Sequence, residues 1–422
     1  MASRMKRGFL LRLAVKNLGR YRRRTMITAI AIAIGVAIFI AMHSALEGFS
    51  AESDRTFATY ETGTAAVTGE GYWDERDKRP LDIAVEEPES VIAAWDDAGI
   101  PAAPRIIAAG TLIVYYDPYP EGGSVHVELY GIDPEQDPAV FGIRDSMEEG
   151  RFLQPGEEGA LIGRRLADRL GAEVGYPVTI TTRTRDGFHQ IMDLEIVGIF
   201  NTPNPVVNRT ALYLPIATAD VYLEMGGAVT SVHAKLPGRL PAQADPGPAR
   251  EAVRDISGID FLTFTDMNRE MIEVMEMEDA ANRIILGLLA LIAVVGISNT
   301  MLMAVLERER EIGMMRALGW RKAEIRRLFM YEAGGIGLIG TLVGVALGAV
   351  LVALLVTYGL DYNAMMDVGE MDFRFDGILY GVWNPGVMLT AAVAATVIAG
   401  VAAVVPVRRI LRRSITDSLR NV

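Results

Sequence analysis

The stretch Glu307–Glu332, ERERE-IGMMRALGW-RKAEIRRLFMYE, decides how the rest of the chain is read. It holds seven Lys/Arg and five Glu and lies between two long apolar runs. Its apolar residues Ile312, Met315, Leu318, Ile325, Leu328 and Phe329 nevertheless recur at helical spacing. Charge all round with one apolar stripe predicts an amphipathic helix at a membrane surface, its charges open to a soluble partner. A plain solvated cytoplasmic loop is the competing reading of the same charges, and the flanking segments discriminate between them.

The runs on either side, 284–306 and 333–360, contain no Asp, Glu, Lys or Arg, and neither do 25–46 and 387–407. At 1.5 Å per residue each is long enough to cross about 30 Å of hydrocarbon, and 333–360 has length to spare for tilt. Trp383 is placed as an interfacial anchor before the last of them. Residues 1–24 carry nine Lys/Arg and no acid, with Phe9, Leu10, Leu13, Leu18 and Tyr21 as an apolar stripe. They are expected to form a cytoplasmic amphipathic basic helix on an anionic membrane surface. A cleaved signal peptide is the rival for this start. Its apolar core would be unusually long, and a small-residue cleavage site is missing.

Residues 47–283 are a different material, with 19 Lys/Arg against 42 Asp/Glu. Strand candidates are 106–116, 125–132, 178–184, 191–200, 211–214 and 229–236. Turn signals at Asp117-Pro118, Glu121-Gly122-Gly123, Asp133-Pro134 and Asp186-Gly187 separate them. Residues 158–171 read as a strand feeding a short helix, and 237–248 as a Pro/Ala-rich surface loop. Over 200 residues of this kind are enough to bury a core of their own, so an α+β domain is expected. From Thr265 the pattern turns helical and runs without a breaker into 284–306, which predicts a stalk helix continuous with a span.

Charge asymmetry gives the orientation. Segments 1–24, 307–332 and 408–422 together hold 21 Lys/Arg and 6 acids, whereas 47–283 and the outer loop after 360 (361–376) hold 20 and 47. The positive-inside rule puts the first three in the cytoplasm and the others outside. The expected fold is therefore an α-helical membrane protein with four transmembrane helices. A large extracytoplasmic (periplasmic) α+β domain is inserted between the first and second, and a short outer loop, 361–386, separates the third and fourth. Both termini are cytoplasmic.

Several chemistries have no support. A net charge of −12 argues against a nucleic-acid partner, and a chain without cysteine has no disulfide, thiolate zinc site or thiol nucleophile. No G-x-x-x-x-G-K-[ST] loop occurs, so nucleotide hydrolysis by this chain is not expected. His43, His126, His189 and His233 are scattered without metal-ligand spacing, and no serine sits in a G-x-S-x-G setting. Charge-free spans argue against a proton-coupled carrier or ion channel. The polar exceptions are His43, near the outer end of the first span, and Ser298 and Asn299 in the second, of which Asn299 reads as an interhelical hydrogen-bonding group. Gly340, Gly344 and Gly348 form a small-residue ridge for close helix packing.

The run Glu307 to Trp320, EREREIGMMRALGW, closely resembles the E-R-x-x-E-I-G-x-x-R-A-L-G signature of the MacB/FtsX-type ABC transporter permeases. Lys16-Asn17-Leu18 with Arg20, Arg23 and Arg24 is similar to that family's N-L-x-R-x-x-R run before the first span. GRRLADRLGAEVG at 163–175 resembles its outer-domain G-x-x-L-A-x-x-L-G segment, and Ser418-Leu419-Arg420 its closing A-L-R. Within the family, the first-span region, Tyr60-Glu61-Thr62-Gly63 and the run 201–214 look most like the lipoprotein-releasing (Lol-type) permeases. The turn at 185–190 is short where the carrier-docking Lol subunit has a long hairpin, which points to a subunit without that hook or to other downstream partners.

The resemblance implies a permease that hydrolyses nothing itself and binds no cofactor or metal, with ATP and Mg on a separate cytoplasmic ABC ATPase. It implies a second permease subunit, as homo- or heterodimer, membrane lipid around the spans, and a lipoprotein or other envelope substrate moved by motion of the periplasmic domain. Residues 307–332 would be the coupling helix. The residues carried over to that role are Glu307, Arg310, Glu311, Gly313, Met314, Met315, Arg316, Leu318, Gly319, Trp320, Arg321 and Lys322. Met314, Met315, Leu318 and Trp320 would dock in a groove of the ATPase, framed by Arg316, Arg321 and Lys322. The sequence leaves open which of them face lipid. Two alternatives within the family are an FtsX-like signalling scaffold that activates cell-wall hydrolases and a MacB-like peptide or drug efflux permease.

Overall fold

The computed structural model describes residues 2–20, 22–113, 123–361 and 378–411. Expectations for 114–116, the turn residues at 117–122, the bulk of the outer loop with Arg374, and the tail from 412 lie outside the described residues. The chain divides into two compact units, Met1–Phe49 with Val274–Leu360 and Leu379–Val422, and Ser50–Glu273 with Asp361–Ile378. Both divisions near the first and second spans fall inside continuous helices, so no linker marks them.

The first unit is helical. Its elements are α1 (Ala2–Arg20), α2 (Arg22–Phe57), α3 (Arg269–Glu307), α4 (Glu309–Ala317), α5 (Lys322–Tyr358), α6 (Pro385–Ala402) and α7 (Val404–Ile410). At 1.5 Å per residue α2, α3 and α5 are each about 55 Å long, well beyond one crossing. Among the described residues three helical stretches are long and apolar enough to cross a membrane: Thr25–Thr62, Lys322–Tyr358 and Pro385–Arg409. Four were expected; the remaining one, 284–306, lies within α3, whose side-chain surroundings are described only in part.

Small residues bring these helices together. A Cβ on Gly340 would sit 2.6 Å from the Ala29 carbonyl oxygen, one on Gly344 2.7 Å from that of Ala33, and one on Gly348 3.1 Å from Ile40 Cβ. All three glycines are buried, and their ridge meets the alanine-rich face of α2. Gly337 does the same toward Ala399 of α6. Pro406 removes the backbone donor that would serve the Ala402 carbonyl, and Ser298 Oγ of α3 donates to that oxygen at 2.9 Å instead. Its neighbour Asn299 is exposed and makes no hydrogen bond among the described residues.

The second unit is built on a ten-stranded sheet: β1 (Ala65–Gly69), β2 (Ala102–Ile113), β3 (Ser124–Ile132), β4 (Met147–Gly150), β5 (Gly159–Gly163), β6 (Pro177–Arg183), β7 (His189–Phe200), β8 (Ala211–Pro215), β9 (Ser231–Ala234) and β10 (Ile259–Thr263). β2, β3, β8, β5, β7 and β6 pair in turn and β6 returns to β2, closing a six-stranded ring. The first residues of the long strand β2 pair instead with β9, which carries β1 and β10 beyond it. Both faces of the central strands are buried. Ile106, Ala108, Leu129, Leu212 and Leu214 enter one core, and Ile107, Tyr130 and Tyr213 a second, so their sequences do not alternate cleanly.

A buried polar cluster crosses this unit. Arg105 places Nε 2.9 Å and Nη2 2.8 Å from Asp137 Oδ1, with its guanidinium carbon 3.1 Å from the Phe141 ring centroid. His233 lies with Nδ1 2.8 Å from the Thr62 carbonyl oxygen and Nε2 2.8 Å from Ser231 Oγ. A carbonyl only accepts, so Nδ1 carries the proton, and in the neutral ring that tautomer leaves Nε2 to accept from the serine. Burial, with the Arg105 charge added, pushes its pKa down to about 3 from 6.5.

In the unfolded chain the same ring titrates at its ordinary value, so the unfolded state binds more protons between pH 6.5 and 3. The contribution to stability is therefore complete above that window and is lost as pH falls through it. From pH 7 to pH 5 the expected loss is ~2 kcal/mol, at about 1.4 kcal/mol per pH unit. His233→Asn should flatten this dependence in denaturant titrations at the two pH values; an equal slope in variant and parent would refute it.

Candidate functional site

The stretch 307–332 is divided between two helices, α4 and the first turns of α5, rather than forming one. A single amphipathic helix over 307–332 was expected; instead α3 ends at Glu307, Arg308 leaves helical geometry (φ −107, ψ 17), and α4 ends at Ala317. The stop is a Schellman turn. Gly319 takes φ +88, its N–H donates to the Arg316 carbonyl at 3.1 Å, and the Trp320 N–H donates to the Met315 carbonyl at 3.1 Å. No side chain adopts that φ cheaply, so Gly319 sets the break. The restart is capped by Glu324, whose Oε2 accepts from the Arg321 N–H at 2.9 Å.

This break turns the apolar residues of the motif in two directions. Met314 is 58% and Leu318 76% exposed, and with exposed Arg310 they form a ridge at four-residue spacing along α4. Glu307, Gly319, Arg321 and Lys322 are exposed around it. Met315 and Trp320 turn inward instead, onto Leu10 and Ala14 of α1 and Leu328 of α5, and the Trp320 ring centroid lies 6.4 Å from that of Phe9. A hydrophobic contact between the residue after the turn and the last helical turn is what a Schellman motif supplies. Gly313 is buried; Glu311 and Arg316 are half-buried. The expected docking quartet is thus split into an exposed pair and a packing pair.

Beneath the ridge is a buried ionic joint. Arg308 Nη1 donates to both Glu332 oxygens at 3.0 Å, its Nε donates to Glu311 Oε2 at 2.8 Å, and its guanidinium carbon lies 5.3 Å from the Phe329 ring centroid. Asn17 Nδ2 of α1 donates to Glu332 Oε1, and Arg20 Nη1 donates to Glu311 Oε1 at 3.3 Å. Arg308 and Glu332 are almost fully shielded from solvent. Burial lowers the pKa of Arg308, but Glu332 and Glu311 more than offset this and raise it.

Sequence reasoning placed Arg308 and Glu332 inside the motif without a role. One signal was available. Glu332 falls in line with Ile325, Leu328, Phe329 and Ile336, on the apolar face of α5, where a carboxylate requires a partner. Which cation supplies it depends on the break at residue 308, which spacing does not reveal.

Apolar spans, a large folded domain inserted between the first two of them and a strutted charged corner define the class: a multi-pass membrane protein with an inserted domain. Residues 25–256 match the MacB-like periplasmic core domain and residues 283–415 the FtsX-like permease C-terminal region. LolC of Neisseria meningitidis serogroup B, a lipoprotein-releasing system transmembrane protein, is 30% identical over 340 residues, covering 78% of this chain and 76% of its own. The macrolide export ATP-binding/permease protein MacB of Neisseria meningitidis serogroup A is 25% identical over 385 residues, 85% of this chain and 56% of that protein. The crystal structure of the periplasmic region of MacB from Actinobacillus actinomycetemcomitans matches 53% of this chain and 98% of that one, at 16% identity and a TM-score of 0.37. The chain belongs to the MacB/FtsX family of ABC transporter permeases.

Proposed function

We propose that this chain is the permease subunit of a lipoprotein-releasing ABC transporter, driven by a separate cytoplasmic ATPase that docks on the α4 ridge. The observation that carries the docking is that ridge: Met314 and Leu318 stand exposed beside Arg310, Arg321 and Lys322 on a short helix braced from behind. An apolar pair framed by cations suits a groove with an acidic rim. Similarity to LolC over most of both chains favours a lipidated substrate released from the outer face of the inner membrane. In this reading 284–306 also crosses the membrane, as the second of four spans, both termini are cytoplasmic, a second permease subunit completes the transporter, and ATP with Mg binds only to the partner ATPase.

Mild-detergent purification followed by native mass spectrometry tests the function. A bound ATPase and a lipidated protein are expected. A cell-wall hydrolase, or a periplasmic adaptor with an outer-membrane channel, would assign the chain to signalling or efflux instead. Orientation is checked separately in this cysteine-free chain. Exposed Ser124 and Lys322, each replaced by Cys, should react with an impermeant maleimide from outside and from inside respectively. Reaction of both from one side would overturn the topology.

A further inference from the structure

We propose that Glu332 is a positioning residue: by sharing its carboxylate between Arg308 and Asn17 it locks α1, α4 and α5 into one body, so that a push on α4 enters the third span without slack. The inference rests on α4 being the ATPase dock and goes beyond it, because it concerns what happens after docking.

The geometry is a closed ring. Glu332 accepts from Arg308 and from Asn17; Glu311 accepts from Arg308 and, through its other oxygen, from Arg20. Asn17 and Arg20 are one turn apart on α1, and Arg308 and Glu311 one turn apart across the α3–α4 corner. Two carboxylates thus each tie the corner to α1, and one of them belongs to α5. Arg308 occupies the residue where helical geometry fails, the place where α3 and α4 would otherwise hinge.

Stability alone does not account for such a ring, since well-packed apolar residues commonly replace a buried ion pair at no loss. What an ion pair adds is direction: it holds atoms at fixed positions where sliding apolar contacts do not. Beyond the joint, α5 continues as the glycine ridge against α2, so displacement of Glu332 is handed on through two closely packed backbones.

Glu332→Ala alone strands the buried Arg308 charge and is a poor test. Asn17→Ala removes the tie from Glu332 to α1 and leaves the Arg20–Glu311 tie, and the double variant Arg308→Met/Glu332→Met takes out the two buried members of the ring while keeping volume and neutrality. Spin labels at Val15→Cys and Ala317→Cys, both exposed, report the α1–α4 distance in the purified chain. The distribution is expected to widen about twofold in Asn17→Ala and more in the double variant, with the melting temperature little changed. In the reconstituted complex, maleimide reactivity at Tyr358→Cys, at the far end of α5, is expected to respond to ATP in the parent. In the double variant the response should fall at least tenfold while the ATPase still co-purifies. An unchanged distance width, or an unchanged ATP response, in the double variant overturns the proposal. If no ATPase binds the parent chain, the docking assignment fails, and the spin-label widths still decide whether the three helices are locked by this ring.

Discussion

Leu318→Asp should abolish co-purification of the partner ATPase and leave the chain folded and inserted. The side chain is 76% exposed at the end of α4, so folding asks little of it. A carboxylate there places an unpaired charge in the centre of an apolar contact whose anchors are typically worth 2–4 kcal/mol, roughly a 30- to 1,000-fold loss in affinity. Met314→Asp, one turn earlier on the same ridge, should behave alike. Trp320→Asp should fail differently, lowering the amount of folded protein, because Trp320 packs between α1 and α5. Pull-down from membranes, normalised to inserted chain, distinguishes these outcomes. Wild-type recovery of the ATPase with Leu318→Asp would remove α4 as the dock.

Asp137→Ala is expected to produce the largest loss of stability in the outer domain. Asp137 and Arg105 are both buried, and the aromatic surround of Phe141, Tyr130 and Tyr213 offers the guanidinium cation–π contact but no counter-charge. Burial outweighs Arg105 and raises the Asp137 carboxyl above its usual range, so the pair already bears a desolvation cost. Removing the acid leaves that cost on Arg105 alone, about 3–5 kcal/mol. Asp137→Ala combined with Arg105→Met should recover most of it. Denaturant titration of the outer-domain transition in the intact chain measures both; a single-variant loss under 1 kcal/mol would mean the cation finds another partner.

Much of the outer domain could be read from residue patterns, and the failures have particular causes. The runs that became β3, β6, β7 and β8 are rich in branched and aromatic residues and are flanked by turn signals, so they stand out. β1 is Ala-Ala-Val-Thr-Gly and β10 is Ile-Asp-Phe-Leu-Thr; each is short and weakly patterned. They become strands by pairing with one another, Ala65 opposite Thr263, almost the whole domain apart in sequence. β4 likewise depends on its bulged pairing with β7. Closure of the ring through the β2–β6 contact is a tertiary event with no local signal.

Apolar run length and charge asymmetry in the sequence were sufficient to identify a membrane protein with an inserted acidic domain, because hydrocarbon thickness and solvation impose those patterns directly. The charged stretch at 307–332 was recognisable as the special segment for the same reason. Its internal design was decided only in three dimensions. One glycine at positive φ split the predicted helix, which turned Trp320 inward and left Leu318 outside. Two of its twelve charges, Arg308 and Glu332, were selected for burial because helix packing excluded water from them and brought them together with Asn17. Charge identity is a property of the residue; its burial and its partner are properties of the fold.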